Sequence, residues 1–254
     1  MLAALLLLPL GLVAAEDGLN AWLRYAPIPN ADELRGSIPS NIHALNDSEA
    51  SPVYTAGEEL RHGISSIFGS DCKLHQKNGR DDSADLIVGT IDAYSKLNGN
   101  NSDIPELIED GFYLDTTGNQ VLILGQNQRG AIYGAFEYLS MLGQGNVSQV
   151  AFASNPDAPI RWINQWDNMR DGGTHGSVER GYGGDSIFFW DGVVREDLTR
   201  AAQYARILSS IGINAVVINN VNANETILNE TNLDGVARIA DAFRPYGVQL
   251  AMSM

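Results

Sequence analysis

The sequence predicts two modules in succession: an α+β module, then the opening of a TIM-type (β/α)8 barrel truncated in its third strand. Three observations carry this reading. The run Asn155-Pro156-Asp157-Ala158-Pro159 is turn chemistry of the kind that separates domains. Before it, helical and strand patterns mix irregularly and include a hairpin signal. After it, apolar strands alternate with amphipathic helices, the pattern of a parallel sheet. The expected divisions are a leader over 1–15, the α+β module over 16–155 and the incomplete barrel over 156–254.

The leader comes first. Leu2 to Ala15 is almost unbroken apolar sequence, interrupted by Pro9 and Gly11. It falls short of the ~20 residues that a membrane span needs, and Val13-Ala14-Ala15 supplies small residues for cleavage before Glu16-Asp17. Its apolar residues form no amphipathic face, so a signal peptide fits better than a buried helix. In the next module, Glu58 to Phe68 places Leu60, Ile64, Ile67 and Phe68 at helical spacing. Asp85 to Thr90 reads as a short buried strand. Phe112–Asp115 and Gln120–Leu124 flank Thr116-Thr117-Gly118-Asn119, a hairpin signal. A helix then opens at Gln128, runs through Tyr133, Phe136, Leu139 and Leu142, and stops at Gly143.

Beyond the boundary, Ile160 to Trp166 reads as a strand. Asp197 to Ile211 is a helix with Leu198, Ala201, Ala202, Ala205, Leu208 and Ile211 as its buried stripe. Ile213 to Ile218 is a β-branched strand of the type buried on both faces. A second helix, Leu233 to Phe243, places Leu233, Val236, Ala237, Ala240 and Phe243 on one side. Val248 to Met254 begins a third strand. No G-x-G-x-x-G follows the first strand, so the dinucleotide fingerprint is missing, and the glycine-rich stretches lack the P-loop lysine. A barrel is preferred to a doubly wound sheet, and three strands cannot close one of eight.

Composition narrows the partners. Asp and Glu number 31 against 16 Lys and Arg, a formal charge of −15. Such a surface repels phosphate backbones and anionic membranes. N-x-S/T sites at Asn46, Asn100, Asn146, Asn224 and Asn229 fit a secreted, extracellular glycoprotein. The single cysteine, Cys72, excludes an internal disulfide and reads as a structural thiol. The four histidines are scattered without ligand spacing, so neither a metal nor a cofactor is expected.

Ligands meet the carboxyl ends of barrel strands. Here those ends are Asn164-Gln165-Trp166-Asp167-Asn168 and Asn219-Asn220-Val221-Asn222. Amides pair with hydroxyls and an indole packs on a pyranose face, so sugar recognition is the chemistry they suit. Asparagine also serves as a plain turn residue, which suits Asn222 and Asn224 better.

The segments RWINQWDN (161–168), SVERGYGGDSIFF (177–189), YARILSSIGINAVVINNVNA (204–223) and RIADAFRPYGVQLAMS (238–253) resemble glycoside hydrolase family 67, the xylan α-glucuronidases, in their fungal form. DLIVGTI and GFYLDTTGNQVLILGQNQRGAIYGAFEYL resemble that family's accessory domain, which is hexosaminidase-like. The resemblance implies inverting hydrolysis of the α-1,2 bond between 4-O-methyl-glucuronic acid and xylose, with a xylo-oligosaccharide as partner. It implies no catalytic residue in this stretch, the carboxylates lying on later strands beyond Met254. Trp166 matches the tryptophan lining the uronic acid pocket, and Val221 the aliphatic residue beside the 4-O-methyl group. Gln165, Asp167, Asn168 and Asn219 follow by strand-end position alone. A different two-domain glycosidase of hexosaminidase type, or a non-catalytic uronic-acid-binding form, are the alternatives.

Overall fold

The computed structural model describes residues 20–99, 103–167, 169, 185–219 and 225–253. The leader, Asn100, Asn168, Val221, Asn224 and Met254 lie outside the described residues. After a short helix α1 (Ala31–Leu34), strand β1 (Asn41–Ala44) leads into helix α2 (Pro52–Phe68), then β2 (Lys73–Gln76), β3 (Leu86–Thr90) and α3 (Ile91–Asn98). Strands β4 (Phe112–Asp115) and β5 (Val121–Gly125), helix α4 (Gln128–Gly143) and strand β6 (Ala151–Ser154) complete the first sheet. Its order is β2-β1-β3-β5-β4-β6. The first four of these strands run parallel, and β4 is antiparallel to both β5 and β6. The expected hairpin is the β4–β5 pair.

Local chemistry sets these elements. Helix α2 starts earlier than its apolar spacing indicates because Ser51 caps it, its Oγ accepting from the Val53 amide at 3.1 Å, with Pro52 as the first helical residue. Asn127 caps α4 by accepting from the Gly130 amide at 2.9 Å. Gly143 does not stop α4: it is the last helical residue, and the left-handed residue is Gly145, at φ +71°. The turn from β5 into α4 demands glycine for another reason. A Cβ on Gly130 would lie 2.1 Å from the Gly111 carbonyl oxygen. Helices α2 and α4 pack on each other over the sheet. Together with the sheet they bury Ile42, Leu60, Ile64, Phe68, Leu86, Ile123 and Leu139 in one core.

The second unit comprises β7 (Trp162–Asn164), a hairpin of β8 (Phe189–Trp190) and β9 (Val193–Val194), helix α5 (Thr199–Ser210), β10 (Ala215–Val217), α6 (Glu230–Phe243) and β11 (Gln249–Ala251). Strands β7, β10 and β11 lie side by side in chain order, all parallel. In register, Ile163, Val216 and Leu250 share one face, and that face packs into a second core with Phe188, Phe189, Leu208, Ile239 and Phe243. The neighbouring positions Trp162, Asn164 and Gln249 point to the other face, where they are exposed.

The helical stripes need correction. In α5 the buried residues are Ala201, Ala205, Leu208 and Ser209, while Ile211 lies past the helix end and is exposed. In α6 they are Asn232, Gly235, Val236, Ile239 and Phe243, with Leu233 exposed. A small or polar residue takes the inward position in each case. Gly235 lets Val194 of β9 approach so closely that an added Cβ would lie 2.5 Å from it. Asn232 is buried because its Nδ2 donates to the Gly192 and Thr226 carbonyls at 3.1 and 2.9 Å.

Two polar clasps join the units. Arg206 of α5 donates to both carboxylate oxygens of Glu59 in α2, at 2.5 and 2.9 Å, and Tyr25 donates to the same carboxylate at 2.9 Å. Asp110, before β4, accepts from Asn127 and Arg129 on its own side at 2.8 and 2.7 Å. From the second unit it accepts from Arg161 and Asn214 at 2.9 and 3.1 Å.

Candidate functional site

The carboxyl ends of β7, β10 and β11 form one neighbourhood. The amide of Gln165 donates to the Val217 carbonyl at 2.8 Å, continuing the ladder one residue past β7. The Asp167 amide then turns back to the Gln165 carbonyl at 2.8 Å. This three-residue turn leaves Trp166 at its tip, with 51% of the residue exposed. The Gln165 side chain is half-buried and accepts from the Tyr204 hydroxyl of α5 at 3.3 Å.

Asp167 points the other way and is fully buried. Its Oδ2 accepts a short hydrogen bond from the Ser186 hydroxyl. That hydroxyl oxygen in turn accepts from the amides of Phe188 and Phe189, at 3.0 and 2.9 Å. The Ser186 carbonyl takes Arg195 Nε at 2.9 Å, and the Arg195 guanidinium sits 4.8 Å from the Trp190 ring centre.

Asn219, one residue past Ile218, is also buried. Its Nδ2 donates to the Ser253 carbonyl at 2.7 Å and its Oδ1 accepts from the Ser253 amide at 2.9 Å. A side-chain amide here imitates a backbone pair and extends the β10–β11 ladder. Of the residues expected at the site, the structure therefore brings Gln165, Trp166, Asp167 and Asn219 to one end of the parallel sheet, with Trp166 the most exposed of them. Asn168 and Val221 lie outside the described residues. Sequence reading missed Ser186 and Arg195. The Asp191-Gly192 pair in front of Arg195 is a strong hairpin signal, and both residues adopt positive φ, +48° and +74°, as a tight hairpin turn requires.

A mixed sheet followed by parallel β/α units is an arrangement found among glycosidases of known structure. The chain superposes with TM-score 0.57 on a family GH115 4-O-methyl-alpha-glucuronidase with specificity for decorated arabinogalactans, at 18% identity, covering 85% of this chain and 28% of that one. A mutant Streptomyces plicatus beta-hexosaminidase in complex with product gives TM-score 0.50 at 9% identity, covering 85% of this chain and 41% of that one. At such identities the likeness is one of fold.

Sequence fixes the family. Residues 21–138 match the family model for the N-terminus of glycosyl hydrolase family 67, and residues 141–254 match that for its middle domain. The chain belongs to glycosyl hydrolase family 67. It is 62% identical over 247 residues to Alpha-glucuronidase A of Emericella nidulans, a stretch covering 96% of this chain and 29% of that protein. The chain spans less than a third of the length of the curated relatives it matches.

Proposed function

We propose that this chain is the amino-terminal part of a secreted xylan α-glucuronidase that releases 4-O-methyl-glucuronic acid from α-1,2 linkage to xylose with inversion. Family membership and the 62% identity to an alpha-glucuronidase support the reaction class. In this reading residues 16–155 are an accessory domain and 156–254 the first units of a (β/α)8 barrel. The one-sided cover of the second sheet supports the barrel: α5 and α6 pack on one face, while Trp162, Asn164 and Gln249 stand exposed on the other. Parallel sheets are covered on both faces, and in a barrel the second face is the interior. Inversion needs an acid and a base with room for a water between them. Both are assigned to later strands.

The observation that carries the substrate assignment is Trp166, half-exposed at the tip of the turn that ends β7. Its indole is proposed to pack on the uronic acid ring, with Val221 beside the methyl group and Gln165, Asp167, Asn168 and Asn219 in the second rank around them. In the full-length enzyme, Trp166→Ala is expected to lower kcat/KM about 30- to 1000-fold, equivalent to about 2–4 kcal/mol. Melting should change little. Val221→Ala should act more weakly and chiefly on the 4-O-methylated substrate, since one methyl contact is worth about 1 kcal/mol. An unchanged kcat/KM in Trp166→Ala, with a large drop in Tm, would make Trp166 a core residue and sink the assignment.

Secretion and glycosylation belong to the same proposal. Asn146 and Asn229 are exposed, and each keeps its Oδ1 on a backbone amide, of Ser148 at 3.0 Å and Asn232 at 2.8 Å. A sugar on Nδ2 leaves those bonds in place. Endoglycosidase treatment of secreted protein should shift its mobility, and the shift should shrink in Asn146→Gln.

A further inference from the structure

We infer that Ser186 is a positioning residue for Trp166, acting through Asp167. The kinetic part of this inference rests on the sugar-packing role proposed for Trp166, while the structural part does not. Ser186 is itself buried, and its hydroxyl makes three bonds at once: it donates to Asp167 Oδ2 and accepts from the Phe188 and Phe189 amides. A hydroxyl has one proton and two lone pairs, so Ser186 is fully used, and its proton is committed to the carboxylate.

The two amides it holds belong to Phe188 and Phe189, both fully buried in the second core. Phe188 packs there against Phe243 of α6 and Tyr204 of α5, ring centres 6.1 and 6.3 Å apart. Tyr204 is also the residue that donates to Gln165. The turn bearing Trp166 is therefore gripped on both sides by one aromatic cluster. Asp167 is held through Ser186, and Gln165 through Tyr204. Trp166 itself is half-exposed at the tip of that turn. An aromatic platform that is exposed but rigid loses less entropy on meeting a ligand than one that swings. Ser186 lies 19 residues from Asp167 in sequence and supplies that rigidity.

The test uses full-length enzyme labelled with 5-fluorotryptophan, the Trp166 resonance being assigned by its loss in Trp166→Phe. Ser186→Ala should shift or broaden the Trp166 resonance while leaving that of Trp22, at the junction of the two units, in place. With the 4-O-methyl-glucuronosyl xylo-oligosaccharide, Ser186→Ala should raise KM about tenfold with kcat nearly unchanged, the signature of lost binding common to ground and transition states. Ser186→Thr, which restores the hydroxyl, should recover both. If Ser186→Ala does not fold, Asp167→Asn carries the test: it keeps the volume, weakens the same link and must move the same resonance. An unmoved Trp166 resonance in whichever of these variants folds overturns the inference. A moved resonance with unaltered KM leaves the inference standing and instead removes Trp166 from the substrate.

Discussion

Asp110 holds a left-handed backbone conformation, φ +66°, that asparagine and aspartate tolerate better than most residues. Its carboxylate is almost wholly buried against two arginines. Burial pushes its pKa up, but the hydrogen bonds from Asn127, Arg129, Arg161 and Asn214 more than offset this, and the group titrates below the ordinary aspartate range. A depressed folded-state pKa contributes stability that is complete above the unfolded value near ~4 and is lost as pH falls through the folded one. Asp110→Ala, which leaves Arg161 without its carboxylate and Arg129 with only the exposed Glu109, should cost about 3–5 kcal/mol at pH 7. The gap to wild type should narrow below pH ~4, and denaturant midpoints of the full-length protein across pH check both statements. A gap that stays constant from pH 7 to pH 3 contradicts the assignment. None of this was legible in sequence. Asp110 and Arg161 are 51 residues apart, and no spacing rule joins a turn aspartate to an arginine that far away. The end of β7 was legible because a strand end announces itself through the polar residues that follow an apolar run.

At the scale of elements, apolar periodicity located α2, α4, α5 and α6 with strands β3, β4, β5, β7, β10 and β11. It failed where polarity or smallness replaced the expected hydrophobe. Strands β1, β2, β6, β8 and β9 went unread, and β2 shows why: as Lys73-Leu74-His75-Gln76 on the sheet edge, it carries one apolar residue in four. The α6 stripe was misplaced because Asn232 and Gly235 face inward. Glycines separate local propensity from packing most clearly. Gly143 ends α4 on the surface, at ordinary φ, with nothing within 4 Å of an added Cβ. Gly143→Ala should therefore stabilise the protein by about 0.4–1 kcal/mol. Gly130→Ala, in the same helix, drives a methyl into the Gly111 carbonyl and should prevent soluble expression or lower Tm by 10 °C or more, on the order of 2 kcal/mol or above. Equal Tm values for the two variants would refute the close approach of the turns.

At the scale of the molecule, the two cores meet through Tyr246, which packs against both, and through the clasps at Glu59 and Asp110. Arg206 lies 5.5 Å from the Tyr25 ring centre, and burial together with the Glu59 carboxylate pushes the Tyr25 hydroxyl above its ordinary pKa. Two arginine–carboxylate pairs with buried carboxylates cross this junction, and its strength depends on them. In the full-length protein, Arg161→Ala with Arg206→Ala should split a single calorimetric transition into two, whereas either change alone should only lower it. One unsplit transition in the double variant would mean that packing alone couples the units. The alternation of strand and helix after the Pro-bounded turn was legible, and the structure carries it as β7, α5, β10, α6 and β11. Which residues lock the units together was not.

The clasps also have a direction in time. A ribosome releases Glu59 and Asp110 before it releases Arg161 and Arg206, so each acid emerges as half of a lock whose key has yet to be made. The first-made unit thus waits with each acid one arginine short of its final set, Asp110 holding only Arg129 of its own side, and the order of synthesis becomes a guide to the order of assembly.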